Sequence, residues 1–187
     1  MSPMRPAVFL DRDGVINENR RDYVRSWTEF SFLPHVFPAL RRLATSPFAV
    51  VVVSNQSAIG RGLVEQTTVE EIHRRMAHQI EAQGGRLDGV FYCPHRPEDG
   101  CDCRKPRPGL LLAAAAALQL DLERSFLVGD AESDILAALN AGCQPLLVRT
   151  GLGEEQLTRF SPHLLARCRI AADLGQAVDW ILDGGML

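Results

Sequence analysis

The sequence has no long apolar run, no strong excess of either charge and few aromatic residues. No apolar stretch approaches the roughly 20 residues that cross a bilayer, and the apolar run near the N-terminus is too short and too interrupted by charge for a signal peptide. Lys and Arg number 20 against 23 Asp and Glu, and aromatic residues make up 6%, so neither a membrane surface nor nucleic acid is indicated as a partner. We therefore expect a cytoplasmic protein that binds neither.

The size and composition indicate one globular domain. A chain of 187 residues, 46% of them apolar, can bury a substantial core but is too short for two full-sized domains, so we expect a single domain over 1–187 and a monomer. Three of the five cysteines fall between positions 93 and 103, which favours metal binding in a reducing compartment over a disulfide framework. Cys143 and Cys168 are expected in the core.

Short apolar runs alternate with helical patterns along the chain. The runs predict strands at 7–11, 49–54, 90–92, 126–130 and 145–148, and the patterns predict helices at 36–45, 68–83, 108–118 and 133–141. A last strand near Ile170 and a closing helix around 176–182 are expected, with Thr67 or Thr68 capping the second helix and Gly142 ending the fourth. The nearly continuous hydrophobicity of the strands predicts an α/β fold with a doubly wound, three-layer parallel sheet.

The residues that end the predicted strands are polar. Ligands of open α/β sheets bind beyond the carboxyl ends of the strands, so these side chains should meet at one edge. They are Asp11, Asp13, Ser54, Asn55 and Asp130, joined by Lys105 from the loop after the third strand. Three carboxylates call for a divalent cation, and oxygen ligands favour Mg²⁺. A lysine and a hydroxyl beside them suit a phosphate group, so the set predicts phosphoryl transfer.

Asp11 and Asp13 together suit covalent catalysis. A first aspartate can attack phosphorus, and a second can protonate the leaving oxygen and later activate water. Alternation along a strand would place both on one side with Arg12 pointing away, and Gly14 would allow a sharp turn beside the ligand. A D-x-D sequence by itself more often marks a turn or a helix cap, so this hypothesis depends on the partners at the other strand ends.

Four short motifs resemble those of the haloacid dehalogenase-like phosphatases. They are "DRDG", "SNQS", Lys105 and "GDAESD", in the family's order. The resemblance implies a Rossmann-like fold, with Asp11 as nucleophile and Asp13 as general acid/base. It also implies that Ser54 and Lys105 hold the transferring phosphoryl group. The implied Mg²⁺ ligands are the Asp11 carboxylate, the Asp13 backbone carbonyl and Asp130, with Asp134 outside the immediate ligands.

The segment "CPHRPEDGCDCRKP" predicts a second metal site. Cys93, His95, Cys101 and Cys103 match the ligand set of a closed tetrahedral Zn²⁺ site, so this zinc loop, residues 93–103, would bind a structural ion. Such an ion would stiffen the loop that presents Arg104 and Lys105. The alternatives are free thiols beside an incidental histidine, or a strained disulfide between Cys101 and Cys103.

A zinc loop that runs into "CRKP" resembles the D-glycero-D-manno-heptose 1,7-bisphosphate phosphatases and the related histidinol-phosphate phosphatases. The stretch "SNQSAIGRG" and the early Tyr23-Val24 pair look more like the heptose enzymes. The resemblance implies substrate contacts by Tyr23, Asn55, Gln56, Ser57 and Arg104, with Arg104 reaching a second phosphate. Ala131 stands where the family often has lysine, and Arg20, Arg21, Asp22 and Arg61 receive no role.

The spacing between the motifs leaves no room for a cap domain of ordinary size. We expect an open site, covered partly by residues 14–34 and the zinc loop. The predicted function is Mg²⁺-dependent removal of the 7-phosphate from the heptose bisphosphate, a step toward lipopolysaccharide or another surface glycan. The alternatives are a phosphatase for histidinol phosphate or another small sugar phosphate, a non-catalytic phospho-ligand binder, and a nucleic-acid-binding zinc module.

Overall fold

The computed structural model describes residues 4–184, and six parallel strands in them form one sheet in the order β3-β2-β1-β4-β5-β6. The strands that pair on both sides are buried along most of their length, because both faces of the sheet are covered there. Val8 of the first strand pairs with Val50 on one side and Phe126 on the other. The strands are β1 Arg5–Leu10, β2 Ala49–Asn55, β3 Gly89–Cys93, β4 Leu120–Gly129, β5 Gln144–Val148 and β6 Arg169–Ala171.

Helices cover both faces of this sheet. They are α1 Val36–Ala44, α2 Ser57–Gly60, α3 Gln66–Ala82, α4 Gly109–Leu118, α5 Glu132–Ala141, α6 Gly153–Leu157, α7 Pro162–Leu165 and α8 Leu174–Leu182. The apolar residues of α1, α3 and α8 form one core with the sheet, and those of α4 and α5 form another on the opposite face. Within residues 4–184 no insertion has the size of a cap domain, and the predicted three-layer fold is confirmed.

Most predicted elements are found within about two residues of their expected ends, but β4 begins at Leu120, well before the predicted start at 126. Gly142 ends α5 at a φ of 81°, as expected for a C-terminal glycine. The expected cap of α3 was wrong, because this helix begins at Gln66 with Glu65 in the N-cap position and no capping side chain. The short helices α2, α6 and α7 were not predicted, since four or five residues are too few to show a helical period.

Residues 14–34 follow β1 and lie over the carboxyl edge of the sheet. Their aromatic side chains pack on one another, with Trp27 stacked on Phe30 at 5.0 Å and Phe30 edge-on to Phe32 at the same distance. This cluster joins the core under α1, so it anchors the segment while its tip extends toward the strand ends. No helix within residues 4–184 is both long and apolar enough to cross a membrane.

Candidate active site and metal sites

One open cleft of about 260 Å³ lies at the carboxyl edge of the sheet. It brings together the ends of three strands and the loop after a fourth, because parallel strands all end at this edge. The predicted site residues that line it are Asp11, Asp13, Tyr23, Asn55, Gln56, Ser57, Arg104, Lys105, Asp130 and Asp134. Ser54 does not line the cleft: it is 1% exposed, and its Oγ accepts a 2.8 Å hydrogen bond from Gln56 Nε2.

Lys105, the only lysine of the chain, lies at the bottom of this cleft. Its Nζ is 2.8 Å from Asp11 Oδ1 and 2.6 Å from Asp134 Oδ1, and it donates to the Val53 carbonyl. Burial opposes the charge, but the two carboxylates raise the pKa of Lys105 above its usual value, so the ammonium group persists. Asn55 fixes the lysine backbone, because its amide accepts from the Lys105 N–H and donates to the Lys105 carbonyl, both at 3.1 Å.

Three buried carboxylates surround that ammonium group. Oxygens of Asp11, Asp130 and Asp134 all lie within 4.8 Å of one another. Burial and the neighbouring carboxylates raise the pKa of Asp11 to about 7 and that of Asp130 to about 8, although Lys105 opposes the shift at both. A single lysine therefore leaves a deficit of positive charge, and the oxygen donors suit a hard divalent cation such as Mg²⁺. Asp11 and Asp130, two of the predicted magnesium residues, belong to this cluster, and its oxygen donors fit the ion.

The Asp13 carboxylate receives four hydrogen bonds. Arg12 Nη2 donates to both oxygens at 2.9 and 3.0 Å, Asn17 Nδ2 donates to Oδ1, and Gln56 Nε2 donates to Oδ2. Burial raises the pKa of Asp13, but the guanidinium charge and these donors outweigh it and hold the pKa below its usual value. The expectation that Arg12 points away was wrong. Strand β1 ends at Leu10 and the chain then turns, so strand alternation does not extend to Arg12.

A loop after β5 supports Asp130, and the sequence reasoning missed it. The Leu152 N–H donates to Asp130 Oδ2 at 2.7 Å, and Thr150 Oγ1 donates to the Gly14 carbonyl at 2.6 Å. Gly14 and Gly151 have φ values of +87° and +59°, and a Cβ on either would overlap the Asp130 carboxylate. The sequence did contain a signal for this loop: Gly151 and Gly153 in "RTGLG" come directly after a predicted strand.

The remaining residues divide between the cleft and the exposed surface. Arg20 and Ala131 line the cleft. Arg104 lines it as well, and its Nη1 donates to the His95 carbonyl at 3.3 Å, which links it to the zinc loop. Arg21, Asp22 and Arg61 are exposed and are not among the residues that line the cleft.

The four predicted zinc ligands converge. Cys103 Sγ lies 3.2 Å from Cys93 Sγ, 3.5 Å from Cys101 Sγ and 3.3 Å from His95 Nδ1. These separations exceed the roughly 2.05 Å of a disulfide and approach the roughly 3.7 Å between ligands of a tetrahedral Zn²⁺ with bonds near 2.3 Å. Cys143 and Cys168 are buried in the core, as expected. The donor set fits Zn²⁺.

Comparisons with known proteins give one consistent result. Residues 102–176 match a family model described as HAD-hyrolase-like. The chain is 43% identical to a D-glycero-beta-D-manno-heptose-1,7-bisphosphate 7-phosphatase of Pseudomonas putida, over 83% of this chain and 89% of that protein. It is 42% identical to the enzyme of that name from Escherichia coli K12, over 98% and 91%. The crystal structure of D,D-heptose 1,7-bisphosphate phosphatase from B. bronchiseptica, complexed with magnesium and phosphate, superposes with a TM-score of 0.90 at 38% identity, covering 96% of this chain and 99% of that one.

Proposed function

Because the chain belongs to the D-glycero-D-manno-heptose-1,7-bisphosphate 7-phosphatase family of haloacid dehalogenase-like hydrolases, we propose that it is a Mg²⁺-dependent phosphatase that removes the 7-phosphate of this sugar. The observation that carries the proposal is the 2.8 Å ion pair between Lys105 Nζ and Asp11 Oδ1, set among three buried carboxylates. The product would serve the synthesis of lipopolysaccharide or another surface glycan.

Asp11 is the nucleophile in this proposal. One of its oxygens attacks phosphorus, the bond from phosphorus to the sugar O7 breaks, and an aspartyl phosphate forms. Asp13, once protonated, gives that proton to the departing sugar oxygen and later takes one from the water that attacks the aspartyl phosphate, which releases inorganic phosphate and restores Asp11. The Lys105 ammonium holds the phosphoryl oxygens, and the Ser54 hydroxyl, which accepts from Gln56 and does not line the cleft, would reach them only once Gln56 moves aside.

The proposed Mg²⁺ ligands are the Asp11 carboxylate, the Asp13 backbone carbonyl and Asp130. When bound, the ion supplies positive charge to the carboxylates and to the phosphoryl oxygens. Asp134 lies outside the immediate ligands and holds Lys105, whose Nζ is 2.6 Å from its Oδ1. The raised pKa values of Asp11 and Asp130 support this assignment, since a cation would relieve the repulsion that contributes to them.

The proposed Zn²⁺ site is structural, because four protein ligands leave no open position. Cys93, His95, Cys101 and Cys103 would hold the ion. The chain runs from Cys103 directly into Arg104 and Lys105, so the ion would fix the start of the segment that carries both cations. Its function would be to hold the loop rather than to take part in the reaction.

The substrate contacts are proposed from the walls of the cleft. Tyr23, Asn55, Gln56, Ser57 and Arg104 would contact the sugar phosphate, and the planar guanidinium of Arg104 suits the second phosphate. The Asn55 amide would act mainly by holding the Lys105 backbone, which occupies both its oxygen and its nitrogen.

A phosphate-release assay tests the function. Purified protein should turn over heptose 1,7-bisphosphate faster than histidinol phosphate, and EDTA should abolish both activities. Asp11→Asn should abolish them as well, whereas Arg61→Ala, at an exposed position away from the cleft, should stay close to wild type. Faster turnover of histidinol phosphate would favour the alternative substrate, and undiminished activity of Asp11→Asn would refute the nucleophile. Salt-dependent DNA binding without phosphate release would favour the zinc-module alternative.

A further inference from the structure

Arg12 connects the Asp13 carboxylate to a buried histidine outside the cleft. One terminal nitrogen, Nη2, donates to both Asp13 oxygens, and the other, Nη1, lies 3.1 Å from His73 Nε2. His73 belongs to α3 and does not line the cleft. The three side chains form a continuous line from helix α3 to Asp13, and the reaction as proposed above uses only the last of them.

The chemistry of this line fixes the state of His73. A guanidinium group has donors and no acceptor, so His73 Nε2 must accept the hydrogen bond and the ring proton must lie on Nδ1. Burial and then the Arg12 charge lower the pKa of His73 to about 3, so the ring remains neutral. Tyr92 packs beside it at 5.2 Å between ring centroids. A neutral acceptor in a packed site is well suited to holding a guanidinium group in place.

The guanidinium of Arg12 has few other contacts. Its side chain is 1% exposed, and its Nε has no hydrogen-bond partner among residues 4–184. Phe30 lies 6.0 Å from the guanidinium carbon, on the side of residues 14–34. The group is planar and rigid, so a shift of Nη1 at His73 also moves Nη2 at Asp13. The orientation of Asp13 is therefore coupled to an atom of α3.

We propose that His73 and Arg12 are positioning residues for the proton transfers of Asp13, with His73 anchoring Arg12 and Arg12 orienting the Asp13 carboxylate. This inference rests on the proposed role of Asp13 as general acid/base. His73 does not line the cleft, and Arg12, which does, is 1% exposed and has its terminal nitrogens engaged by His73 and Asp13, so the proposal assigns neither a substrate contact. Their effect should therefore be largest where proton transfer matters most, which is the protonation of a poor leaving group.

Two substrates separate this effect from general damage to the fold. Values of kcat/KM report the steps up to departure of the leaving group. A sugar alkoxide needs a proton when it leaves, whereas the nitrophenolate of p-nitrophenyl phosphate leaves without one. The variants are Asp13→Asn as reference, His73→Leu and Arg12→Lys as tests, His73→Gln as the conservative change that keeps an acceptor, and His78→Leu as control. His78 is exposed on the same helix.

We expect Asp13→Asn to lower kcat/KM for the heptose bisphosphate by about 10²–10⁴-fold, with a much smaller loss for p-nitrophenyl phosphate. His73→Leu and Arg12→Lys should lose on the order of tenfold with the sugar and about twofold or less with the aryl phosphate, because a displaced general acid is a weaker one. His73→Gln should recover most of the sugar activity, and His78→Leu should match wild type with both substrates.

Each outcome tells the two proposals apart. If Asp13→Asn lowers kcat/KM equally for both substrates, the proposed role of Asp13 is wrong. Another outcome is that Asp13→Asn lowers kcat/KM for the sugar far more than for the aryl phosphate while His73→Leu lowers kcat/KM equally for both substrates or for neither. In that case the positioning inference is wrong and the role of Asp13 stands. Thermal unfolding accompanies every variant. Should Arg12→Lys fail to fold, His73→Leu with His73→Gln carries the test, since both keep every donor to Asp13.

Discussion

Gly151→Ala is expected to displace the Asp130 carboxylate and so to weaken Mg²⁺ binding. A Cβ at this position would overlap Asp130 Oδ2 and would lie 2.5 Å from the Cα of Gly14. Hydrogen bonds hold both neighbours in place: the Gly14 carbonyl accepts from Thr150 Oγ1, and Asp130 Oδ2 accepts from the Leu152 N–H. The substitution must therefore separate the loop from Asp130.

Two contributions set the size of the effect. An alanine at a φ of +59° costs roughly 1–2 kcal/mol because its Cβ crowds the backbone. Loss of the charge-assisted hydrogen bond from Leu152 to Asp130 adds about 1.5–3 kcal/mol. At about 2–4 °C per kcal/mol for a chain of this length, the second contribution lowers the Tm by a further 3–12 °C or so. Loss of an outer hydrogen-bond partner typically weakens metal binding by about 10–100-fold.

Gly142→Ala is the matched control for this experiment. Gly142 has a φ of +81°, and a Cβ there would meet no atom within 4 Å, so this variant carries the backbone cost without the collision. Isothermal titration calorimetry with Mg²⁺ and thermal unfolding in EDTA should be run on wild type and both variants at about pH 9, above the Asp130 pKa of about 8, so that the Asp130 carboxylate is charged in the metal-free protein. We expect a wild-type Mg²⁺ affinity for Gly142→Ala and a loss of at least about tenfold for Gly151→Ala. Equal Kd values for the two variants would show that the loop after β5 does not position Asp130.

Magnesium binding should release protons, because burial and neighbouring carboxylates raise the pKa of Asp11 to about 7 and that of Asp130 to about 8 in the metal-free protein. The Mg²⁺ Kd should fall as the pH rises from about 6 to about 9. Calorimetry in buffers of different ionisation enthalpy counts the protons that Mg²⁺ binding releases. A Kd independent of pH would contradict the assignment of Asp11 and Asp130 as Mg²⁺ ligands. Asp11 and Asp130 of the metal-free protein also bind more protons than they do in the unfolded chain between about pH 4 and pH 8, so their contribution to stability falls as pH rises and the gain in Tm from Mg²⁺ should widen. Cys101→Ser should lose the bound zinc and lower the Tm, whereas Cys143→Ala, in the core, should keep a full equivalent of zinc by elemental analysis; a full equivalent in Cys101→Ser would exclude this site.

The sequence was enough to predict that one cleft would bring together Asp11, Asn55, Lys105 and Asp130. The strand ends of a parallel sheet meet at one edge whatever the details of packing. The convergence of the Cys and His side chains in the zinc loop was equally predictable, since these four residues are close in the chain. The N-cap of α3 was misjudged because no side chain supplies it, and a helix can begin without one when its apolar face is buried.

The orientation of individual side chains at the site could not be predicted from the sequence. The sequence suggested that Arg12 points away from Asp13, yet its guanidinium binds both Asp13 oxygens after the chain turns at the end of β1. The sequence also did not indicate that Ser54 is buried, with its Oγ accepting a hydrogen bond from Gln56 Nε2. Such choices depend on which buried polar groups need partners, and those partners come from other elements.

By itself the sequence determined the order of helices and strands along the chain, the polar residues at the strand ends and the two sets of side chains proposed to bind metals. These follow from periodicity, turn residues and motif spacing, which are local properties. Only the tertiary structure decided which charges share a buried space. The contact between Lys105 and Asp11 spans 94 positions, and that between Arg12 and His73 spans 61. Burial and distances of about 3 Å set the strengths of these contacts. They also raise the pKa of Asp11 and lower that of Asp13. Both the burial and the distances exist only once the sheet has assembled.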